Sequence, residues 1–225
     1  MKIRKLMAFK NLELRSYNAF WEDENMKFLD DAFDKFIKLL QERIKIYGER
    51  FTVLSQEALM AFLFGYSIVD VNEDLLNKVF VEYPIEMNSG SRDKIDIYID
   101  VHSGYYVEIK YVRPIPSGMN RPLPQHRGKL IDDVSKLCIL TPPEAHKYLL
   151  LIADEEFIRH LYNKPGFIFK GVSWKGSIGD LVVNKTERQQ IRNFEEIKGR
   201  EIELIIKRFS KANTLTVVLW KISNF

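Results

Sequence analysis

Apolar positions along the chain set the first expectations. Across residues 24–47, Met26, Leu29, Phe33, Phe36, Leu40, Ile44 and Tyr47 recur at steps of three and four. That spacing lines one face of a helix, and Gly48 supplies a stop. A second helix is predicted over residues 55–66, with Ser55 as its N-cap and Glu57 in its first turn. Beyond Glu57 it is apolar on nearly every side, which predicts burial all round.

Strand patterns follow. Residues 79–87 are rich in β-formers. Residues 94–101 alternate, with Ile95, Ile97, Ile99 and Val101 on one face and Asp96, Tyr98, Asp100 and His102 on the other. A third strand is predicted over residues 105–112. Pro114, Pro116, Pro122 and Pro124 then forbid a regular helix or central strand between Val112 and His126. A helix over 127–140 turns Leu130, Val134, Leu137 and Cys138 inward, and Pro142 and Pro143 end it. Residues 147–153 are a nearly continuous apolar run, the pattern of a strand covered on both faces. Asp154 caps a helix to Tyr162. Later strands are predicted at 167–174, 181–183, 202–209 and 215–222, with a helical stretch at 186–198. The order helix, three strands, helix, strand predicts an α/β fold, a mixed sheet flanked by helices. One domain over 1–225 is expected, with a core at about 55–153, an N-terminal helical extension over 1–50 and a β-rich C-terminal extension over 164–225.

Composition narrows this only slightly. The chain is 46% hydrophobic and 29% charged, ordinary for a soluble protein. A net charge of +3 permits a polyanionic partner without demanding one. The single cysteine, Cys138, excludes an internal disulfide and a cysteine-rich zinc site, and reads as a small buried hydrophobe rather than a nucleophile. His102, His126, His146 and His160 lack metal-binding spacing. No apolar stretch approaches the ~20 residues of a membrane span, and no leader-type apolar run follows Lys2, Arg4 and Lys5. The expectation is a cytoplasmic protein without membrane contact.

The chemistry concentrates in residues 94–110. A three-residue turn, His102-Ser103-Gly104, would pair Val101 with Tyr105, Asp96 with Lys110 and Tyr98 with Glu108. Opposed residues have Cβ atoms ~5 Å apart, so Asp96, Glu108 and Lys110 would converge on one face. Two carboxylates suit Mg²⁺, a hard cation that takes oxygen ligands. A lysine beside them suits an anionic transition state. Asp93 and Asp100 are rival acids; Asp100 shares the face of Asp96 but lies nearer the turn.

With Lys94-Ile95-Asp96-Ile97 on one strand and Val107-Glu108-Ile109-Lys110-Tyr111 on the next, residues 55–153 resemble the PD-(D/E)xK nuclease superfamily, the restriction-endonuclease-like fold. The resemblance implies an αβββαβ core and Mg²⁺ or Mn²⁺ held at Asp96, Glu108 and Ile109. Glu57 stands where many members add an acid to the metal site, and Lys110 would assist the attacking water. Ile95 replaces the proline of the family pattern. The implied activity is hydrolysis of nucleic acid, DNA above all, to a 5′-phosphate and a 3′-hydroxyl, by an endonuclease acting as a homodimer. RNA cleavage, junction resolution, or a silent nucleic-acid-binding or scaffold protein of the same fold are the alternatives.

An acid-x-Lys triplet alone is weak, since composition predicts ~3 by chance in such a chain. Glu196-Ile197-Lys198 is such a decoy, read as a solvated helix end. Arg113, Arg121 and Arg127 around the proline-rich loop read either as phosphate contacts or as a solvated surface. Of Lys129, Asp133 and Lys136 on the polar side of the next helix, Lys129 is the one best placed to reach the site, although a plain surface lysine is the commoner reading. Glu57 is also explained by the helix dipole alone. Phe62, Phe64, Phe167 and Phe169 read as core.

Overall fold

A computed structural model describes residues 27–86, 92–114, 121–162, 164–167 and 173–224. The first periodic segment forms α1 (Lys27–Tyr47), which buries Leu29, Phe33, Phe36, Leu40 and Ile44 along one face. Short α2 (Glu49–Leu54) and longer α3 (Glu57–Val71) follow. Next come β1 (Val79–Glu86), β2 (Arg92–Ile99), β3 (Tyr105–Val112), α4 (Leu123–Leu140), β4 (His146–Asp154) and α5 (Glu155–Tyr162). The C-terminal part holds β5 (Ser173–Ser177), three one-turn helices, α6 (Ile178–Leu181), α7 (Lys185–Arg188) and α8 (Phe194–Ile197), and the long hairpin β6 (Glu201–Ala212) and β7 (Leu215–Asn224).

All seven strands join one mixed sheet in the order β1-β2-β3-β4-β7-β6-β5. Only β3 and β4 run parallel, joined by the crossover helix α4. Helices cover both faces. On one, Phe33, Phe36 and Phe64 of α1 and α3 pack with Ile97, Val107, Ile109, Leu150 and Leu219. On the other, Leu130, Val134 and Leu137 of α4 and Phe157 of α5 pack with Leu149, Leu151 and Trp220. Each such fully buried side chain is worth ~1.5–3 kcal/mol over its exposed state. The continuous apolar run of β4 lies between β3 and β7, with Tyr148 through Ala153 fully buried, as its pattern predicts. The Asp154 cap also forms: its Oδ1 accepts the Phe157 N–H at 3.0 Å.

Elsewhere the expectations need correcting. Ser55 does not cap α3. Its hydroxyl donates to the Phe51 carbonyl, closing α2, and Gln56 stands at the N-cap of α3. That helix is not buried all round, because Leu59, Phe62 and Tyr66 face outward and Phe62 is 60% exposed. Helix α4 begins at Leu123, with Pro124 in its first turn, where no intrahelical N–H is needed. Residues 181–183 form no strand, since Leu181 ends a helical turn. The expected strand over 167–174 is described only from Ser173, apart from a buried Phe167. Phe169, Met87 and residues 1–26 lie outside the described residues.

Arg127, one of the expected phosphate contacts, is instead fully buried. Its guanidinium lies 2.5 Å from the equally buried Glu187 and donates to the Pro165 and Leu181 carbonyls at 2.8 and 2.5 Å. It ties α4 to the α6–α7 segment, and Gly128 beside it admits the approach: a Cβ there would meet the Glu187 carbonyl oxygen at 2.7 Å. Arg127→Ala would leave Glu187 buried without its counter-charge, and should lower stability by about 3–5 kcal/mol in urea unfolding. Replacing both partners with apolar residues should recover most of that loss. A single-variant loss under ~1 kcal/mol would mean that the pair is hydrated rather than buried.

Candidate active site

Strand β2 pairs with β1 over its whole length, from Val79↔Ile99 to Glu86↔Arg92. With β3 it pairs only at Ile97↔Val107, Tyr98↔Tyr106 and Ile99↔Tyr105. Yet β3 stays with β4 from Tyr105 to Val112. The two strands therefore part at Asp96 and Glu108, and the sheet opens into a wedge.

The parting strips β3 of ladder partners, and two carboxylates take their place. The Ile109 N–H donates to Asp96 Oδ2 at 2.6 Å, and the Tyr111 N–H donates to Glu57 Oε2 at 3.0 Å. Buried backbone donors need such partners. Glu57 is brought there by the first turn of α3, and the Tyr111 hydroxyl, which donates to the Thr52 carbonyl, anchors the end of α2 to the same strand.

A backbone irregularity accompanies the opening. Glu82, level with Asp96 in the β1–β2 register, has a φ of 54°, a left-handed conformation uncommon for a residue other than glycine. Beyond this point the hairpin turns over. Ile97 and Ile99 pack on the α1–α3 side, whereas Ile95 and Ile85 pack on the α4 side. The single isoleucine face read from alternation is thus broken at Asp96, whose carboxylate accepts from β3 in place of a ladder bond.

The register also differs from the expected one. Tyr98 faces Tyr106, which puts Asp96 level with Glu108 rather than Lys110. The connection runs from Asp100 to Gly104, with His102 and Gly104 both at positive φ, 52° and 83°. A slip of two residues keeps every side chain on its face. Glu108 and Lys110 keep their shared face, and Asp96, turned onto the Ile109 N–H, meets them from across the wedge.

Two ammonium groups are threaded through the acids. Lys110 Nζ lies 3.1 Å from Glu57 Oε2 and 3.4 Å from Asp133 Oδ2. Lys136 Nζ lies 2.7 Å from Glu108 Oε1 and donates to the Lys94 carbonyl at 2.7 Å, bridging the wedge from β3 to β2. Asp133 and Lys136, one turn apart on α4, are the site residues that the sequence did not single out. Lys129, which was expected to reach the site, is exposed. The clue was present in spacing: Asp133 and Lys136 flank the buried Val134 and Leu137, at the border of the helix's inward face.

Burial governs the electrostatics. Glu108, 2% exposed, is held well above the usual carboxylate range by burial and then by the charge of Asp96. Asp96 is raised by burial, against the pull of the Ile109 N–H. Burial pushes Asp133 up to about 7. Burial works against charge on Lys110 as well, but Asp133 and Glu57 outweigh it and hold the ammonium above its usual range. Lys110 is a lasting cation, not a base. Glu108 Oε1, though close to Lys136, and Asp133 Oδ2 accept no well-directed hydrogen bond.

Those buried, under-satisfied oxygens and an all-carboxylate donor set fit a hard divalent ion at the wedge. Asp96 and Glu108 are the side chains to hold it. The Ile109 carbonyl, on the same edge of β3 as its N–H, is the backbone oxygen to add. Among the described residues no three acid, histidine or cysteine side chains are already gathered closely enough to form a cage, so Glu108 would exchange its contact with Lys136 for the ion.

The other expected residues fall away from the wedge or remain at its margin. Arg121 is 4% exposed and committed to Asp154 and Glu156, so it is not a free phosphate contact. Arg113 is exposed just past β3. Asp93 is held by Arg192 at 2.5 Å, and Asp100 accepts from the Tyr98 hydroxyl at 3.0 Å. Glu196 and Lys198 lie exposed at α8, a solvated helix end. Cys138 is buried, with its thiol pushed up to about 11 by that burial, and is no nucleophile. No helix among the described residues is long and apolar enough to cross a membrane. The chain has no significant match among protein families, curated proteins or solved structures.

A carboxyl whose folded-state pKa is raised imposes a penalty that is absent below its unfolded-state value and complete above its folded-state value. For Asp133 that window runs from 3.8 to about 7. Thermal unfolding in EDTA should therefore move to lower temperature as pH rises across it, by roughly 5 °C, and Asp133→Asn should flatten the slope. A melting temperature that climbs over the same range would contradict the strained cluster.

Proposed function

We propose that this chain is a divalent-metal-dependent phosphodiesterase acting on nucleic acid, with a restriction-endonuclease-like core and DNA as the leading substrate. The observation that carries the proposal is the wedge between β2 and β3, which gathers Asp96, Glu108 and Lys110 with Glu57 behind them. The order α3-β1-β2-β3-α4-β4 and the acid and lysine positions support the family resemblance.

When bound, Mg²⁺ or Mn²⁺ supplies charge neutralisation at the phosphoryl oxygen and a more acidic water. The protein's part is orientation and charge. Asp96 is fixed by the Ile109 N–H, so its other oxygen has a defined direction. Lys110, steadied by Glu57 and Asp133, offers N–H groups to the water or to a phosphoryl oxygen and stabilises the charge that gathers in the transition state. Water oxygen bonds to phosphorus, the bond to the 3′-oxygen breaks, and that oxygen leaves with a proton. Arg113 and Lys129 are both exposed and would meet flanking phosphates. Two copies acting together would cut both strands of a duplex.

Plasmid, duplex, junction and RNA substrates incubated with Mg²⁺ or Mn²⁺ test this directly. Cleavage should vanish in EDTA, and Asp96→Ala and Lys110→Ala should each lower the rate at least ~10²-fold. Glu57→Gln should cost less, about tenfold, because it steadies Lys110 without touching the reacting atoms. Tight binding without cleavage under either metal would replace the enzyme with a silent nucleic-acid-binding protein.

A further inference from the structure

Beside the wedge, on the same face of the sheet, four aromatic rings run across three strands. Tyr98 pairs with Tyr106 on one side and with Phe80 on the other. Ring centroids lie 4.8 Å apart for Tyr98 and Tyr106, 6.0 Å for Phe80 and Tyr98, and 4.4 Å for Tyr83 and Tyr98. By simple alternation Tyr83 belongs to the opposite face from Phe80. It joins the row just past the left-handed Glu82, where β1 turns over, and comes within 5.9 Å of Phe80.

Position links these rings to the acids. Tyr106 precedes Glu108 by two residues on β3, and Tyr98 follows Asp96 by two on β2, so each lies about 7 Å along its strand from an acid. Helix α4 packs on β3, β4 and β7 and leaves the β1 end less covered. Tyr106 is accordingly 8% exposed, but Phe80 is 41% exposed, and Tyr83 and Tyr98 are half-buried. Cross-strand aromatic packing explains why these rings touch one another. It does not explain why the row opens outward next to the acids.

We infer that this row is a binding site for unpaired nucleobases, so that the substrate presented to the acids is single-stranded or locally opened nucleic acid. The inference rests on the phosphodiesterase reading for the substrate's identity, whereas the binding step stands on the rings. A paired base inside a duplex has both faces covered by its neighbours. Only an unpaired base offers a face, and any base can stack on an aromatic platform without sequence preference. A base resting on Phe80 and Tyr83 would set the following backbone toward the wedge, past the exposed Lys94–Glu82 ion pair on the same hairpin.

Fluorescence anisotropy tests it with the intact chain in EDTA. The probes are a labelled oligothymidylate, an abasic strand of equal length and a duplex. The oligothymidylate should bind about 5- to 100-fold tighter than the abasic strand. Phe80→Ala and Phe80→Leu should both erase that difference, the second keeping apolar bulk without a ring, while Phe80→Trp should preserve it. Circular dichroism melting checks that each variant is folded. Equal affinity for the base-bearing and abasic strands, or full base-dependent binding by Phe80→Leu, overturns the site. Metal-dependent cleavage that treats duplex and single strand alike, and is unchanged in Phe80→Leu, also overturns it while leaving the phosphodiesterase standing. Base-dependent binding that Phe80→Leu removes, with no cleavage of any substrate under Mg²⁺ or Mn²⁺, supports the site and overturns the phosphodiesterase.

Discussion

A buried backbone donor must have an acceptor, and the arrangement around the wedge follows from that requirement. Where β2 leaves β3, the N–H groups of Ile109 and Tyr111 lose the ladder that would have satisfied them. Asp96 and Glu57 replace it. Carboxylates drawn into a sheet in this way need counter-charge, which Lys110 and Lys136 provide. Lys110 in turn draws in Asp133. Each member is fixed by the one before it, and the chain of requirements starts in the backbone.

Such a cluster is a local conflict that the surrounding structure has to over-determine. Glu82 sits in a backbone region that costs a residue with a Cβ of order 1 kcal/mol or more. The carboxyl groups of Asp96, Glu108 and Asp133 share a poorly solvated space, with the more exposed Glu57 at its margin. The offset comes from two full cores on either side of the sheet, and from ties such as Arg127–Glu187 that are remote from the wedge. Proteins that obey local rules nearly everywhere tend to break them at functional sites. Here the breach at Glu82 and the parting of the sheet fall on one line across β1, β2 and β3.

The legible and illegible parts of the sequence divide along physical lines. Helix α1, strand β4 and the Asp154 cap could be read because periodicity and capping are local signals. Glu108 and Lys110 share a face by alternation whatever their register with β2, and Asp96 joins them because the turnover directs its carboxylate onto the Ile109 N–H. The turnover at Glu82 left no trace in composition, since nothing marks that glutamate as left-handed. Arg127 looked like a surface cation because its partner, Glu187, lies 60 residues away in sequence. On α4 each step turns ~100°, so choosing Lys129 over Lys136 required knowing how the helix is rotated against the sheet, and that rotation is a tertiary fact. The outward face of α3, with Phe62, failed for the same reason.

Charge accounting connects the wedge to the anion it is proposed to handle. Fully ionised, Glu57, Asp96, Glu108 and Asp133 outnumber Lys110 and Lys136, and a phosphodiester would be repelled. Burial and neighbouring carboxylates raise Asp96, Glu108 and Asp133 together, which favours protons as part of the offset. A divalent ion held by Asp96 and Glu108 would make up the difference in place of those protons. On the proposed reading, only then would the scissile phosphate enter the wedge, while a base stacked on the neighbouring rings needs no ion. On that reading the surplus of acid makes the seating of the scissile phosphate at the wedge, not the capture of the strand, conditional on the ion. Lys110, kept cationic by Asp133 and Glu57, would then face the charge that develops in the proposed phosphoryl transfer.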